Sequence, residues 1–269
     1  MRHKALATAI AALALIGLTA PPASAITDGV PDGDGHPNVG LMVAFVDGAP
    51  AWRCSGTLIT PTVYVTAGHC TFGADRVEIW FGDDIRDAAA NHYPTQGDVS
   101  GTPYTHPEYD DAAFYLHDLG VVVLDAPFEV PDYGVLPALD ELDDFTKSAK
   151  KDATFTAVGY GLQKSFPDAA SWKTQAERLR MVSTPKLISI NTGYTGDGSL
   201  ILSNNANTGG TCSGDSGGPN FIGSSNVIAG VTSFGKNSTC AGTGGVYRID
   251  RADDLAFIQL ALNGDLGDE

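Results

Sequence analysis

The sequence is short of cations, holds four cysteines, and has no apolar run past its first residues long enough to cross a bilayer. Each shortage excludes something. Lys and Arg number 16 against 32 Asp and Glu, a formal charge of −16. Such a surface repels phosphate backbones and anionic lipid, so neither nucleic acid nor membrane is an expected partner. There is no C-x-x-C pair and no local group of histidines, so no metal and no cofactor is expected. Asp83, Asp84, Asp87 and Asp98 crowd one region, but their spacing fits no calcium loop and they read as solvated acids. No internal repeat and no low-complexity tract is present.

The beginning of the chain reads as a leader. Arg2, His3 and Lys4 are basic, Ala5 to Leu18 is apolar, and Ala23-Ser24-Ala25 has the small-x-small pattern of a cleavage site. Fourteen apolar residues fall short of the ~20 that a membrane span needs. Residues 1–25 are therefore expected to be a secretory signal peptide and the mature protein to be soluble, secreted and extracellular. Cleavage after Ala25 leaves 244 of the 269 residues, and loss of Arg2 and Lys4 takes the charge from −16 to −18. That length suits one large domain or two small ones. In an extracellular chain four cysteines imply two disulfides, with three pairings open. Sequence neighbours favour Cys54–Cys70 and Cys212–Cys240, closing loops of 16 and 28 residues. Each would contribute roughly 3 kcal/mol in the chain-entropy model.

Short strand-like runs dominate the rest of the chain. Val39 to Val46, Thr57 to Ile59, Val63 to Ala67, Val77 to Phe81 and Gly120 to Leu124 come first. Thr154 to Val158, Leu187 to Ile190, Val227 to Thr232 and Gly245 to Ile249 come later. Gly and Pro break them at intervals, which predicts an all-β sandwich or barrel. Pro127 to Pro137 reads as a connector, and Gln163 to Ala176 as a polar surface loop. Only the end looks helical, with Asp250 as a cap and Leu255, Ile258 and Leu262 along one face.

The stretch with the least ordinary composition is Gly214-Asp215-Ser216-Gly217-Gly218-Pro219. Its residues are turn formers. They also suit a nucleophile held in a tight turn, with N–H groups of Gly214 and Ser216 facing a developing oxyanion. A serine hydroxyl needs a neighbouring base. The run also fits G-x-S-x-G of the α/β-hydrolases, in which the histidine follows the serine. The six histidines are His3, His36, His69, His92, His106 and His117, so none follows Ser216 and that order is excluded.

The base must come from upstream. Thr66-Ala67-Gly68-His69-Cys70 ends a strand with a histidine beside a cysteine. An imidazole titrates near neutrality, which suits a general base. His117 is a rival, but its neighbour Asp118 leads straight into the apolar run Leu119 to Leu124. An acid at the mouth of a buried strand must be hydrogen-bonded, the position of a carboxylate that orients an imidazole. Asp110 and Asp111 lie in a more polar stretch and read as solvated.

These three stretches resemble the motifs of the trypsin/chymotrypsin-like serine proteases. The order His69, Asp118, Ser216 and the separations of 49 and 98 residues match. The resemblance implies two packed six-stranded antiparallel β-barrels with a C-terminal helix. Residues 26–135 would carry His69 and Asp118, and residues 136–269 would carry Ser216. It implies a monomeric serine endopeptidase acting on protein or peptide through a Ser-His-Asp triad and an acyl-enzyme. A catalytically inactive homologue acting as a binding protein is the alternative. Ser233-Phe234-Gly235 resembles the Ser-Trp-Gly strand that pairs with substrate, with Phe in place of Trp. Gly210 falls at the base of the specificity pocket, and Gly235 and Gly245 on its walls. An uncharged base implies cleavage after large apolar or aromatic residues. Ile26-Thr27-Asp28-Gly29 resembles the activated N-terminus of the family, whose ammonium would pair with Asp215.

Overall fold

The computed structural model describes residues 26–146, 153–163, 177–193 and 195–267. The expected signal peptide and residues 164–176 of the polar loop lie outside the described residues.

The barrel strands are β2 (Val39–Val46), β3 (Ala49–Leu58), β4 (Val63–Thr66), β5 (Arg76–Trp80), β6 (Val99–Thr105) and β7 (Gly120–Leu124). They close in the order β2-β3-β4-β7-β6-β5, every pair antiparallel. β2 shows why an unbroken apolar run can still be a strand. All its residues but the last are buried, because the barrel interior covers one face and the second sheet the other.

The second sheet has eight strands and curves as a half-barrel. Its members are β1 (Val30–Pro31), β8 (Phe155–Gly159), β9 (Met181–Ser183) and β10 (Leu187–Ile190), then β11 (Ser199–Asn204), β12 (Pro219–Ile222), β13 (Ile228–Gly235) and β14 (Gly242–Arg248). Their order is β1-β9-β8-β12-β13-β14-β11-β10. β1 precedes the barrel in sequence yet pairs with β9 of this sheet. The chain therefore crosses between the two layers at its start.

Two buried side chains join the layers. Tyr160, just after β8, donates its hydroxyl to Gly82 O at 2.8 Å and Val39 O at 3.2 Å. Arg180 is 2% exposed and donates to Phe81 O at 2.8 Å and to Asp32 Oδ2 at 2.9 Å. A buried guanidinium is tolerable only when its donors are met in this way.

The C-terminal helix α2 (Ala252–Asn263) buries Asp254, Phe257, Ile258 and Ala261, while Leu255 and Leu262 lie at its margins. Its N-cap is Arg251. Asp250 does something else: it is fully buried, pairs with the buried Arg248 at 2.8 and 2.9 Å, and accepts Leu142 N–H at 2.8 Å. Asp250→Ala should therefore destabilise the protein by about 2–4 kcal/mol, since it removes the buried partner of Arg248 and leaves that guanidinium with the side chains of Asp143 and Asn191. Urea unfolding checks this, and a loss below about 1 kcal/mol contradicts it.

Candidate active site

β4 ends at Thr66, and the chain enters a single helical turn, α1 (Gly68–Thr71), that carries His69. The disulfide Cys54–Cys70 fastens this turn to β3, and Trp52 Nε1 donates to Cys70 O at 2.9 Å. Asp118 stands two residues before β7 and is fully buried. Its carboxylate accepts the His69 backbone N–H at 2.8 Å, and the ring Nδ1 lies 3.0 Å from Oδ2. Ser233 Oγ, on β13, donates to Oδ2 at 2.5 Å. The pairing places the ring proton on Nδ1 and leaves Nε2 as an acceptor. Burial pushes the ring's pKa down. The Asp118 charge and hydrogen bond, helped by Asp111, outweigh that and hold it above its ordinary value. The His69 side chain remains 25% exposed, so a substrate can reach it.

Ser216 lies in the turn before β12. Gly214 and Gly217 adopt φ of +95° and +76°, where glycine meets no Cβ penalty. A Cβ on Gly217 would stand 2.0 Å from Thr66 Oγ1 and 2.8 Å from Ala67 N. The Ser216 turn thus abuts the backbone that leads into His69. Ser216 O also accepts Ser55 N–H at 2.7 Å, from the residue next to Cys54. Among the described residues no hydrogen bond joins the Ser216 hydroxyl to the His69 ring, a looseness common in unliganded sites. Among the same residues no acceptor takes the N–H of Gly214 or Ser216, so both can meet a ligand oxygen.

Asp215 points the other way, into the protein. It is fully buried and accepts Gly161 N–H at 2.7 Å and Cys212 N–H at 2.9 Å. Burial pushes its carboxyl up to about 7, opposed by those N–H groups and by the Arg53 charge. Ile26 is fully buried with Ala157 and Met181. Thr27 pairs with Gly210, whose N–H donates to Thr27 O at 3.0 Å.

A cavity of about 260 Å³ opens beside Ser216. Thr211, Ser213, Asn237 and Ser238 line it, with Ser233, Phe234 and Gly235 on one wall and the Cys212–Cys240 disulfide on another. No side chain in the lining is ionisable at neutral pH. Gly210 is not in the lining. Its α-carbon faces the Asn204 side chain, where a Cβ would come within 2.3 Å, and Thr211 takes the cavity position instead. Gly245 also differs from expectation: it lies under the Phe234 ring, and Gly244 is the glycine that faces Thr211. The reason is a β-bulge between Thr232 and Phe234, which shifts the β13–β14 register by one residue.

A second cavity, of about 390 Å³, belongs to none of the motifs legible in the sequence. Phe114, Tyr115, Ile201 and Phe234 wall it. Its one signal in the sequence is Phe114-Tyr115, an aromatic pair just ahead of His117-Asp118 in a polar stretch. His117 stacks on His106 and lies 3.4 Å from Glu108 and 3.3 Å from Asp253. Asp110 caps its own turn through Ala112 N–H. Asp84, Asp87 and Asp98 likewise hold Arg86, the Ala89 and Ala90 N–H groups, and Phe81 N–H.

The trypsin family model matches residues 33–254. A trypsin of Saccharopolyspora erythraea is 29% identical over 84% of this chain and 93% of its own. A kallikrein-1E2 of Equus caballus is 30% identical over 71% of this chain and 72% of its own. Among solved structures, an HL collagenase superposes with a TM-score of 0.68 at 19% identity, covering 88% of this chain and 98% of the other. A mutant of human heparin binding protein superposes at 0.64 and 18% identity, covering 88% and 96%. These likenesses to solved structures carry the fold, which is that of chymotrypsin. By the match of the family model over most of its length, this chain belongs to the trypsin family and is a serine endopeptidase.

Proposed function

We propose that the protein is a secreted endopeptidase that works through Ser216, His69 and Asp118. The observation that carries the reading is the buried Asp118 carboxylate bonded to the inner nitrogen of a partly exposed imidazole beside the Ser216 turn. Ser216 Oγ attacks a peptide carbonyl while His69 Nε2 takes its proton. The N–H groups of Gly214 and Ser216 hold the oxyanion. The imidazolium then protonates the departing amine as the C–N bond breaks, and water repeats the cycle on the acyl-enzyme. Ser233, which hydrogen-bonds Asp118, belongs to the same machinery as a positioning residue.

The neutral cavity beside Ser216 supports cleavage after large apolar or aromatic residues, since an Arg or Lys side chain would find no counter-charge there. Phe234, Tyr115 and Phe114 offer the next apolar surface. The division at residue 135, with His69 and Asp118 before it and Ser216 after it, is part of the same proposal. A catalytically inactive binding protein is the lesser reading, because all three side chains are present. Ser216→Ala should lower turnover by several orders of magnitude with an unchanged unfolding midpoint, and should abolish labelling by a fluorophosphonate. Retained activity in that variant rejects the assignment. A peptide-library profile dominated by Arg and Lys rejects the pocket reading.

The base must be neutral to accept a proton, so activity rises as pH climbs through the His69 pKa. Because Asp118 holds that pKa up, the acid limb of kcat/KM should lie above the ordinary ~6.5 of histidine. Asp118→Asn should move the limb to lower pH as well as slow the reaction. A wild-type limb below ~6.5 contradicts this.

We further propose that cleavage after Ala25 both releases the protein and completes its active form. Asp215 is a buried carboxyl with two N–H partners and a raised pKa. An α-ammonium on Ile26, which is fully buried with Ala157 and Met181, would add a positive charge to that of Arg53. Sequencing of the secreted, active protein should begin at Ile26, and any other start rejects direct activation.

A further inference from the structure

Next to Asp118 in the chain, two histidines and an acid from separate parts of the sequence meet. His106 follows β6 and is 4% exposed. His117 immediately precedes Asp118, with its backbone at φ 49°, a left-handed conformation uncommon for a residue with a side chain. Asp253 lies in the first turn of α2. Each offers one ligand atom, and the three atoms lie within 4.8 Å of one another. His117 Nδ1 is buried and has no hydrogen-bond partner, although Asp253 Oδ2 is 3.3 Å away. His117 Nε2 lies 3.4 Å from Glu108 Oε2.

We propose that His106, His117 and Asp253 form a binding site for a divalent cation of the zinc class. Two imidazoles and one carboxylate are a borderline donor set, which favours zinc over calcium or magnesium, cations that take oxygen ligands throughout. Three protein ligands leave a fourth position for water. Bonds of about 2.1 Å to a tetrahedral ion place ligand atoms about 3.4 Å apart. The side chains must therefore close by up to about 1.4 Å from their present spread. His106 is fixed by its burial and by an edge-on contact with the Phe257 ring. The movement falls to His117 and Asp253, whose side chains are 33% and 45% exposed.

His106 would bind through Nε2, the nitrogen that faces α2 at 4.0 Å from Asp254 Oδ1. Its Nδ1 now accepts Glu108 N–H at 3.2 Å. The ring is also hydrogen-bonded to the Asp253 backbone. Binding at Nε2 moves the ring proton to Nδ1 and disrupts these hydrogen bonds, so the affinity falls below that of a preformed structural site. A cavity of about 460 Å³ that includes His117 and Asp253 opens to solvent and admits the ion. The other cluster of metal-binding residue types, Cys54, His69 and Cys70, is no rival, because its sulfurs form a disulfide.

Bound metal would tie α2 to the segment that carries Asp118, and an ion that binds only the folded state stabilises it. The test uses the mature Ser216→Ala protein, which cannot digest itself and whose metal binding does not depend on Ser216 being the nucleophile. Zinc should bind at one ion per chain and raise the unfolding temperature, whereas calcium and magnesium should not. Cobalt should show the visible absorption of a four-coordinate site. His117→Ala and Asp253→Asn should each weaken zinc binding by roughly tenfold or more. His69→Ala and His92→Ala should leave it unchanged. Absence of binding, equal affinity in the His117 and Asp253 variants, or loss of binding with His69 overturns the proposal.

Discussion

A carboxylate cannot be taken out of water without several donors, and Asp118 is wholly out of water. Its donors come from both halves of the molecule. His69 supplies a backbone N–H and a ring nitrogen from the barrel, and Ser233 supplies a hydroxyl from the second sheet. The need to satisfy one buried charge thereby fixes where the imidazole sits and how the two layers meet. The bulge in β13 serves the same end. The irregular register opens at Ser233, between Thr232 and Phe234, and re-aims that hydroxyl at Asp118.

The Ser216 turn is held by close contact. Gly217 lies against Thr66 and Ala67, Ser216 O takes Ser55 N–H, and Ser55 Oγ donates to Gly214 O at 3.0 Å. Ser55 adjoins Cys54, whose disulfide reaches Cys70 beside His69. One short covalent and hydrogen-bonded path therefore links the turn to the histidine. The inner face of the same turn is Asp215, between Gly159 and Gly161, where a Cβ on either would come within 2.4 Å of the carboxyl group. Glycines on both sides of this turn mark tight packing more than flexibility.

The acid-rich composition does not extend into the cavity beside Ser216, whose lining of hydroxyls, an amide, a phenyl ring and a disulfide carries no charge. Nor are the buried acids idle. Asp32 and Asp250 neutralise Arg180 and Arg248, and Asp254 accepts the Tyr247 hydroxyl at 3.1 Å. Burial raises the Asp254 carboxyl to about 8. Net charge thus governs the outer surface, while pairing and hydrogen bonds govern the interior.

The local choices were legible in the sequence itself: short apolar strands, a glycine-bounded serine, a histidine beside a cysteine, an acid ahead of a buried run, and cysteines spaced for two loops. These depend on residue type over a few positions, where backbone preference and burial act directly. Other features depended on which distant residues touch. Ser233 as a partner of Asp118, Thr211 rather than Gly210 in the cavity, Gly244 rather than Gly245 facing Thr211, and Asp250 pairing with Arg248 instead of capping a helix are all of this kind. So is the meeting of His106, His117 and Asp253, whose spacing along the chain matches no metal motif. A one-residue bulge, or the angle at which a helix docks, moves such contacts without changing any local preference. Only the folded chain could decide them.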